Sequence, residues 1–123
     1  HRAIPIIYEQ VFICFEGTRA LRLSPDQTTE LAEMLHIMGD ANRLSILLAC
    51  LDDEQSVGTL AGALGLTPSL VSHHLRLLRA ARLVKGRRQG KQVFYTAADV
   101  HVRSVLHDLI AHVIEPKGPT EDE

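Results

Sequence analysis

The sequence predicts a mainly α fold carrying one small β-hairpin (α+β), and three observations lead there. From Ser24 onward, helix starts and stops alternate with apolar residues at three- and four-residue spacing, the period of helices with one buried face. Between residues 57 and 78, VGTLAGALGLTPSLVSHHLRLL joins two such helices through a single glycine. Directly after it, RLVKGRRQGKQVFYT drops the helical period for β-favouring Val, Phe, Tyr and Thr around Gln89-Gly90. Two helices meeting at a tight turn and followed by a hairpin make a winged helix-turn-helix. The chain divides into an arm over 1–23 whose structure the pattern does not fix, a domain over 24–115, and an acidic tail over 116–123 with the composition of a disordered segment.

With 123 residues the chain is about one domain, with a modest core that dimerisation would enlarge. No apolar run approaches the roughly 18 residues of a membrane span. Two cysteines, Cys14 and Cys50, are too few for a disulfide scaffold, so a reducing, cytoplasmic setting is expected. The net charge of −2 hides a strong asymmetry. From Gln55 to Ala98 there are seven basic residues (Arg76, Arg79, Arg82, Lys85, Arg87, Arg88, Lys91) and no acidic one. Such a block is an electrostatic footprint for a polyanion, which makes nucleic acid the leading partner, and the major-groove helix described below points to double-stranded DNA.

In chain order, the arm is apolar but interrupted by Pro5, Glu9, Gln10 and Gly17, and a helix from about Pro5 to Glu16 is one expectation for it. Ser24-Pro25-Asp26-Gln27 combines an N-cap, a first-position proline and a glutamine three residues after the serine, so a helix should start there and run to about Met38. Gly39-Asp40 stops it and caps the next, in which Leu44, Ile46, Leu47, Leu48 and Leu51 are expected to be buried, with Cys50 as a small core residue. Ser56 caps a short helix through Leu64, Ala61 allows close packing, and Gly65 turns the chain because a left-handed conformation costs glycine nothing. Thr67-Pro68 starts the second helix of the motif. Val71, Leu75 and Leu78 point inward there, leaving Ser69, Ser72, His73, Arg76 and Arg79 outward, as a major-groove recognition helix requires. Arg87, Arg88 and Lys91 cluster near the hairpin tip, where cationic side chains could meet phosphates or a minor groove.

The last helix is expected from Ala97 to Ile114, stopped by Pro116. His101 and His112 fall within roughly 20° of each other on its face yet about 16 Å apart along its axis, too far to share one ion. An identical helix packed antiparallel about a two-fold axis removes the difficulty, and makes the site twice. Each end then offers Asp99 and His101 from one protomer with His112 and Glu115 from the other, a set suited to tetrahedral zinc, with cobalt or nickel open. A lone surface histidine or carboxylate is usually only solvated. These four gain weight from the stripe of Val102, Leu106, Leu109 and Val113 beside them, which reads as a dimer seam, whereas His107 lies off it as an ordinary exposed residue.

From about Leu31 to Glu115 the chain resembles the ArsR/SmtB family of bacterial metal-responsive winged-helix repressors, in GDANRLSILL, SLVSHHLRLLRAARLV, GRRQGKQVFYT and DVHVRSVLHDLIAHVIE. Members that sense zinc, and some that sense cobalt or nickel, carry Asp-x-His and His-x-x-Glu or His-x-x-His on the C-terminal helix, matching Asp99, His101, His112 and Glu115. The resemblance implies a homodimer that represses metal efflux or sequestration genes when metal-free and leaves its operator on binding metal. It also implies a link from His112 to the backbone carbonyl near Arg82, between sensor helix and DNA-binding lobe. Members with thiolate sites carry cysteines at the start of the first helix of the motif, where this chain has Ser56 and Thr59, so a soft-metal sensor is not expected. A zinc hydrolase is disfavoured, because four protein donors leave no position for water. The alternative is a winged-helix regulator answering an organic ligand or redox state, with the histidines structural.

Overall fold

The computed structural model describes residues 11–13 and 21–118. The elements in order are β1 (Val11–Ile13), β2 (Leu21–Leu23), α1 (Pro25–Met38), α2 (Ala41–Ala49), β3 (Gln55–Ser56), α3 (Val57–Leu64), α4 (Pro68–Ala80), β4 (Val84–Gln89), β5 (Gln92–Ala97) and α5 (Val100–Ile114). The helix expected from Pro5 to Glu16 is contradicted at residues 11–13, which form β1 and pair antiparallel with β2; the remainder of that stretch lies outside the described residues.

Helix boundaries follow local chemistry. Ser24 and Gln27 form the reciprocal capping box at the start of α1, each side chain bonding the other's backbone. Asp40, Ser56 and Thr67 each accept a hydrogen bond from the backbone N–H three residues on, capping α2, α3 and α4. Gly65 ends α3 at φ +68°, the left-handed value that the turn between the two helices requires.

The core sits where α2, α3 and α4 converge on the hairpin. Ile46, Leu47 and Cys50 come from the α2 segment, Leu60 from α3, Val71, Leu75 and Leu78 from α4. Leu44 and Leu48, expected among them, are only partly buried. The β-hairpin is one strand richer than the sequence suggests. β3 joins it, giving an antiparallel sheet of order β3-β5-β4 with β5 in the centre. Gly90 takes φ +62° at the first position of the two-residue loop, where a type II′ hairpin turn calls for glycine. Ala97 N–H donates to the Cys50 carbonyl (3.0 Å) and Ala98 N–H to the Leu83 carbonyl (3.0 Å), which fastens the end of β5 to the lobe.

Helix α5 starts at Val100 and not at Ala97, because Ala97 is still paired with Val84 in the sheet. Its expected seam is divided. Leu106 is buried (4% exposed) and Val102 packs on the chain's own core, whereas Leu109 (50%) and Val113 (78%) are left open. Helix α1 buries no residue fully, and its Leu31 and Leu35 are exposed beside them.

Candidate nucleic-acid interface and metal-ligand pairs

Helix α4 turns Val71, His74, Leu75 and Leu78 inward, and leaves Ser69, His73, Arg76 and Arg79 exposed with Ser72 half-buried. One face of the second helix of the motif is therefore apolar and docked, the other cationic and open, which is the polarity a groove-reading helix needs. Arg88 and Lys91 stand exposed at the hairpin tip with no ion-pair partner among the described residues. Arg87 differs from them: it makes a two-pronged ion pair with Glu54.

Four further contacts were not anticipated from the sequence. His74, beside the outward His73, is buried and close to Arg43, whose Nη1 lies 3.5 Å from His74 Nδ1. Arg43 Nε also donates to the Ile37 carbonyl in the last turn of α1 (2.9 Å), so one guanidinium joins α1, α2 and α4. Burial, and then the Arg43 charge, hold the His74 imidazole below the usual histidine range, and its Nε2 is buried without a hydrogen-bond partner among the described residues. Arg82 adopts φ +61° just past α4 and pairs with Glu30 of α1. His107, expected to be merely exposed, pairs with Asp52, Nε2 to Oδ1 at 3.1 Å. A periodicity argument finds none of these, since, apart from Arg43 to Ile37, each joins residues more than 30 apart in sequence.

The four metal-ligand candidates occupy the two ends of α5. Asp99 is its N-cap, Oδ1 accepting from Val102 N–H at 3.0 Å, with the His101 backbone N–H also directed at the carboxylate. The Val102 bond, with the nearby His101, holds the Asp99 carboxyl below the usual aspartate range and so keeps it anionic. His101 is exposed one turn on. At the far end His112 is exposed, and Glu115 lies just past the last helical residue with extended backbone (φ −57°, ψ 135°) imposed by Pro116. Its N–H still donates to the Ala111 carbonyl at 3.0 Å and its φ remains helical, so the chain departs from the helix only after Glu115. Among the described residues no three metal-ligating side chains gather within one chain. A groove of about 580 Å³ between α1 and α5 is lined by Asp99 and His101 together with Arg82, Leu35, Val105 and Leu109. The carboxylate and imidazole therefore stand at the edge of an uncovered apolar face.

Cys50 is buried and its thiol is pushed up to about 12 by desolvation, which leaves it unreactive and argues against redox chemistry there. Cys14 lies outside the described residues.

Comparison with known proteins decides the family. The profile described as "Bacterial regulatory protein, arsR family" matches residues 40–85, from the cap of α2 into β4. A "Transcriptional repressor SmtB homolog" of Synechocystis is 40% identical over 110 residues, covering 87% of this chain and 83% of that protein. The chain belongs to the ArsR/SmtB family. The KmtR regulator of Mycobacterium tuberculosis is 38% identical over 97 residues (79% of this chain, 74% of that one). Among solved structures, reduced HlyU from Vibrio cholerae matches with TM-score 0.65 and 34% identity, covering 72% of this chain and 93% of that one. A homodimeric winged helix-turn-helix domain from Mycobacterium bovis matches with TM-score 0.64 and 26% identity over 69% of this chain and 81% of that one. The ArsR/SmtB family is one of DNA-binding transcription regulators and not of enzymes. No helix among the described residues is long and apolar enough to cross a membrane.

Proposed function

We propose that this ArsR/SmtB chain is a metal-responsive repressor, a homodimer that holds operator DNA when metal-free and releases it on binding zinc, with cobalt or nickel as further candidate inducers. The domain over 24–115 would carry both DNA binding and dimerisation. The observation that carries this reading is the uncovered apolar row of α1 and α5 (Leu31, Leu35, Val105, Leu109, Val113) with Asp99 and His101 along its border. Apolar surface of that extent is covered in a stable protein, and a second copy covers it while adding the donors that one chain lacks.

In an antiparallel pair, Asp99 and His101 of one protomer meet His112 and Glu115 of its partner. The four donors fit zinc in number and in chemistry, and the anionic Asp99 supplies charge without a proton to shed. Zinc, when bound, would supply positive charge that holds these donors of the two protomers together. The remaining steps belong to the chain. Ser69, Ser72, His73, Arg76 and Arg79 read the major groove, while Arg88 and Lys91 hold the backbone beside it. Arg82 lines the same groove as Asp99 and His101, so the partner's His112, brought there, has the backbone carbonyl near Arg82 within its surroundings. A ring N–H donated to that carbonyl would favour one placement of α4 over the other, which is what a coupling between sites requires.

The test is a titration of zinc, cobalt, nickel and cadmium against the complex of the protein with a duplex selected in vitro, at fixed salt. Zinc is expected to lower the parent's affinity by about 5- to 150-fold, the usual range of such couplings. His112→Gln should bind DNA as the parent does and lose that response. If His112→Gln still releases DNA at the parent's zinc concentration, the assignment is wrong.

A further inference from the structure

We propose that Arg87 is a positioning residue of the wing, clamped by Glu54 across the ring of Phe94, and not one of the cations that grip phosphate. The proposal rests on the DNA-binding reading above and assigns one of its basic residues a different task.

The geometry is that of a brace laid over the sheet. Strand β4 is the outer strand and β3 the opposite edge, with β5 between them. Arg87 of β4 is in register with Phe94 of β5, and Phe94 is in register with Ser56 of β3. The Arg87 guanidinium lies 5.4 Å from the Phe94 ring centroid. Beyond the ring it reaches Glu54, the residue before β3, with Nε to Oε2 and Nη2 to Oε1 both at 2.7 Å. Its third nitrogen, Nη1, donates to Gln89 Oε1 at 3.1 Å. All three nitrogens thus have an acceptor, in the parallel fork that only arginine can offer a carboxylate. Arg88 and Lys91, its neighbours in sequence, have no such partner among the described residues.

What the brace connects gives it a purpose. Glu54 ends the link from α2 to β3, which runs straight into the helix-turn-helix, and β4 is the strand that carries the chain from α4 into the wing tip. The backbone bonds of Ala97 and Ala98 fasten the base of the hairpin to the lobe, but beyond Val84 the outer strand β4 is exposed and is tied to the rest only through β5. A clamp from the outer strand to the start of β3 fixes that strand's tilt, and with it where Arg88 and Lys91 meet DNA. An arginine gripping phosphate would have to release Glu54 first.

The two roles predict opposite signs for one substitution. Glu54→Gln removes a negative charge beside a DNA-binding surface, so if Arg87 contacts phosphate, binding should tighten. If Arg87 is a brace, the same change weakens binding. The experiment measures affinity of the intact dimer for the selected duplex, and for a random duplex of equal length, over a range of KCl. Expected is a loss of about fivefold or more on the selected duplex for Glu54→Gln and for Arg87→Ala, with the double variant no worse than either. The salt dependence should stay at the parent's slope in all three, since no phosphate contact is lost. The charge reversal Glu54→Arg with Arg87→Glu should recover part of the loss. The proposal is overturned if Glu54→Gln tightens binding, if Arg87→Ala lowers the salt slope by about one, or if both leave affinity unchanged. Failure of the parent to bind any duplex would sink the DNA-binding reading itself, a separate outcome.

Discussion

Helices α4 and α5 are of similar length, 13 and 15 residues, and both carry apolar residues at three- and four-residue spacing, yet the structure treats them differently. α4 buries Val71, His74, Leu75 and Leu78 in its own chain and turns a basic, polar face outward. α5 buries only Leu106 fully, and turns outward an apolar row flanked by histidine and carboxylate. The first helix is complete and presents chemistry for a polyanion. The second is incomplete, and what would complete it is apolar surface with matching donors, which another copy of α5 possesses.

The largest effect expected from breaking this contrast is at Leu109, exposed in the row and lining the groove that holds Asp99 and His101. Leu109→Glu places a charge in the seam and alters nothing in the chain's own core. Sedimentation should give a dimer for the parent and a monomer for the variant. Affinity for a two-fold-symmetric duplex should fall roughly 100-fold as the second half-site becomes a separate binding event. A dimeric Leu109→Glu protein with parental affinity would place the subunit contact elsewhere.

Asp99 sharpens the contrast, because it serves the chain and the proposed site at once. Its Oδ1 caps α5, and the carboxylate as a whole is exposed and carries the charge a metal ligand needs. Serine can cap but offers no carboxylate. Asp99→Ser should therefore melt near the parent and lose the zinc response, whereas Asp99→Ala should lose the response and also melt a few degrees lower. A Ser variant that still responds to zinc would reduce Asp99 to a cap.

On the complete side of the comparison, His74 should make stability depend on pH. Desolvation first, and then Arg43, depress its folded pKa, with Asp40 opposing and His73 adding to the depression. The unfolded chain accepts a proton that the folded one resists. Stability is therefore full above the ordinary histidine range and falls as pH drops through it toward the folded value. Urea midpoints between pH 8 and 5.5, compared with His74→Gln, should show the parent losing more on acidification. Equal slopes would mean another group carries the acid sensitivity.

The contrast also explains what could be read beforehand. Caps at Ser24, Asp40, Ser56 and Thr67, the left-handed Gly65 and the Gly90 turn are local chemistry, and the sequence pattern located each. The same logic found Val71, Leu75 and Leu78, where one period serves one partner. It failed where a helix serves two. Val102 and Leu109 look alike along α5, and only the tertiary arrangement sends the former to the core and leaves the latter open. Strand β3 escaped because two residues carry no period, and the brace from Arg87 to Glu54 because its partners are 33 residues apart. Basic residues in a cluster looked equivalent until one was found already paired.

The smallest effect expected is at Arg82, where the two regions join. The end of α4 closes with Arg82 N–H on the Arg79 carbonyl and Leu83 N–H on the Leu78 carbonyl, both 2.9 Å, a Schellman closure whose left-handed position usually holds glycine. Arginine at φ +61° bears a backbone cost of about 1–2 kcal/mol that glycine avoids, although glycine returns about 0.4–1 kcal/mol through the freer unfolded chain. The Glu30 pair lost with the side chain is exposed and contributes little. Arg82→Gly should therefore stabilise the protein by roughly 0.5 kcal/mol at fixed protomer concentration. Its effect on zinc response is the sharper reading. Glycine keeps the backbone carbonyl and discards the side chain, so a link from His112 that ends on the carbonyl survives the change. A stabilised protein that binds zinc normally but no longer releases DNA would move that link to the Arg82 side chain and its Glu30 partner on α1.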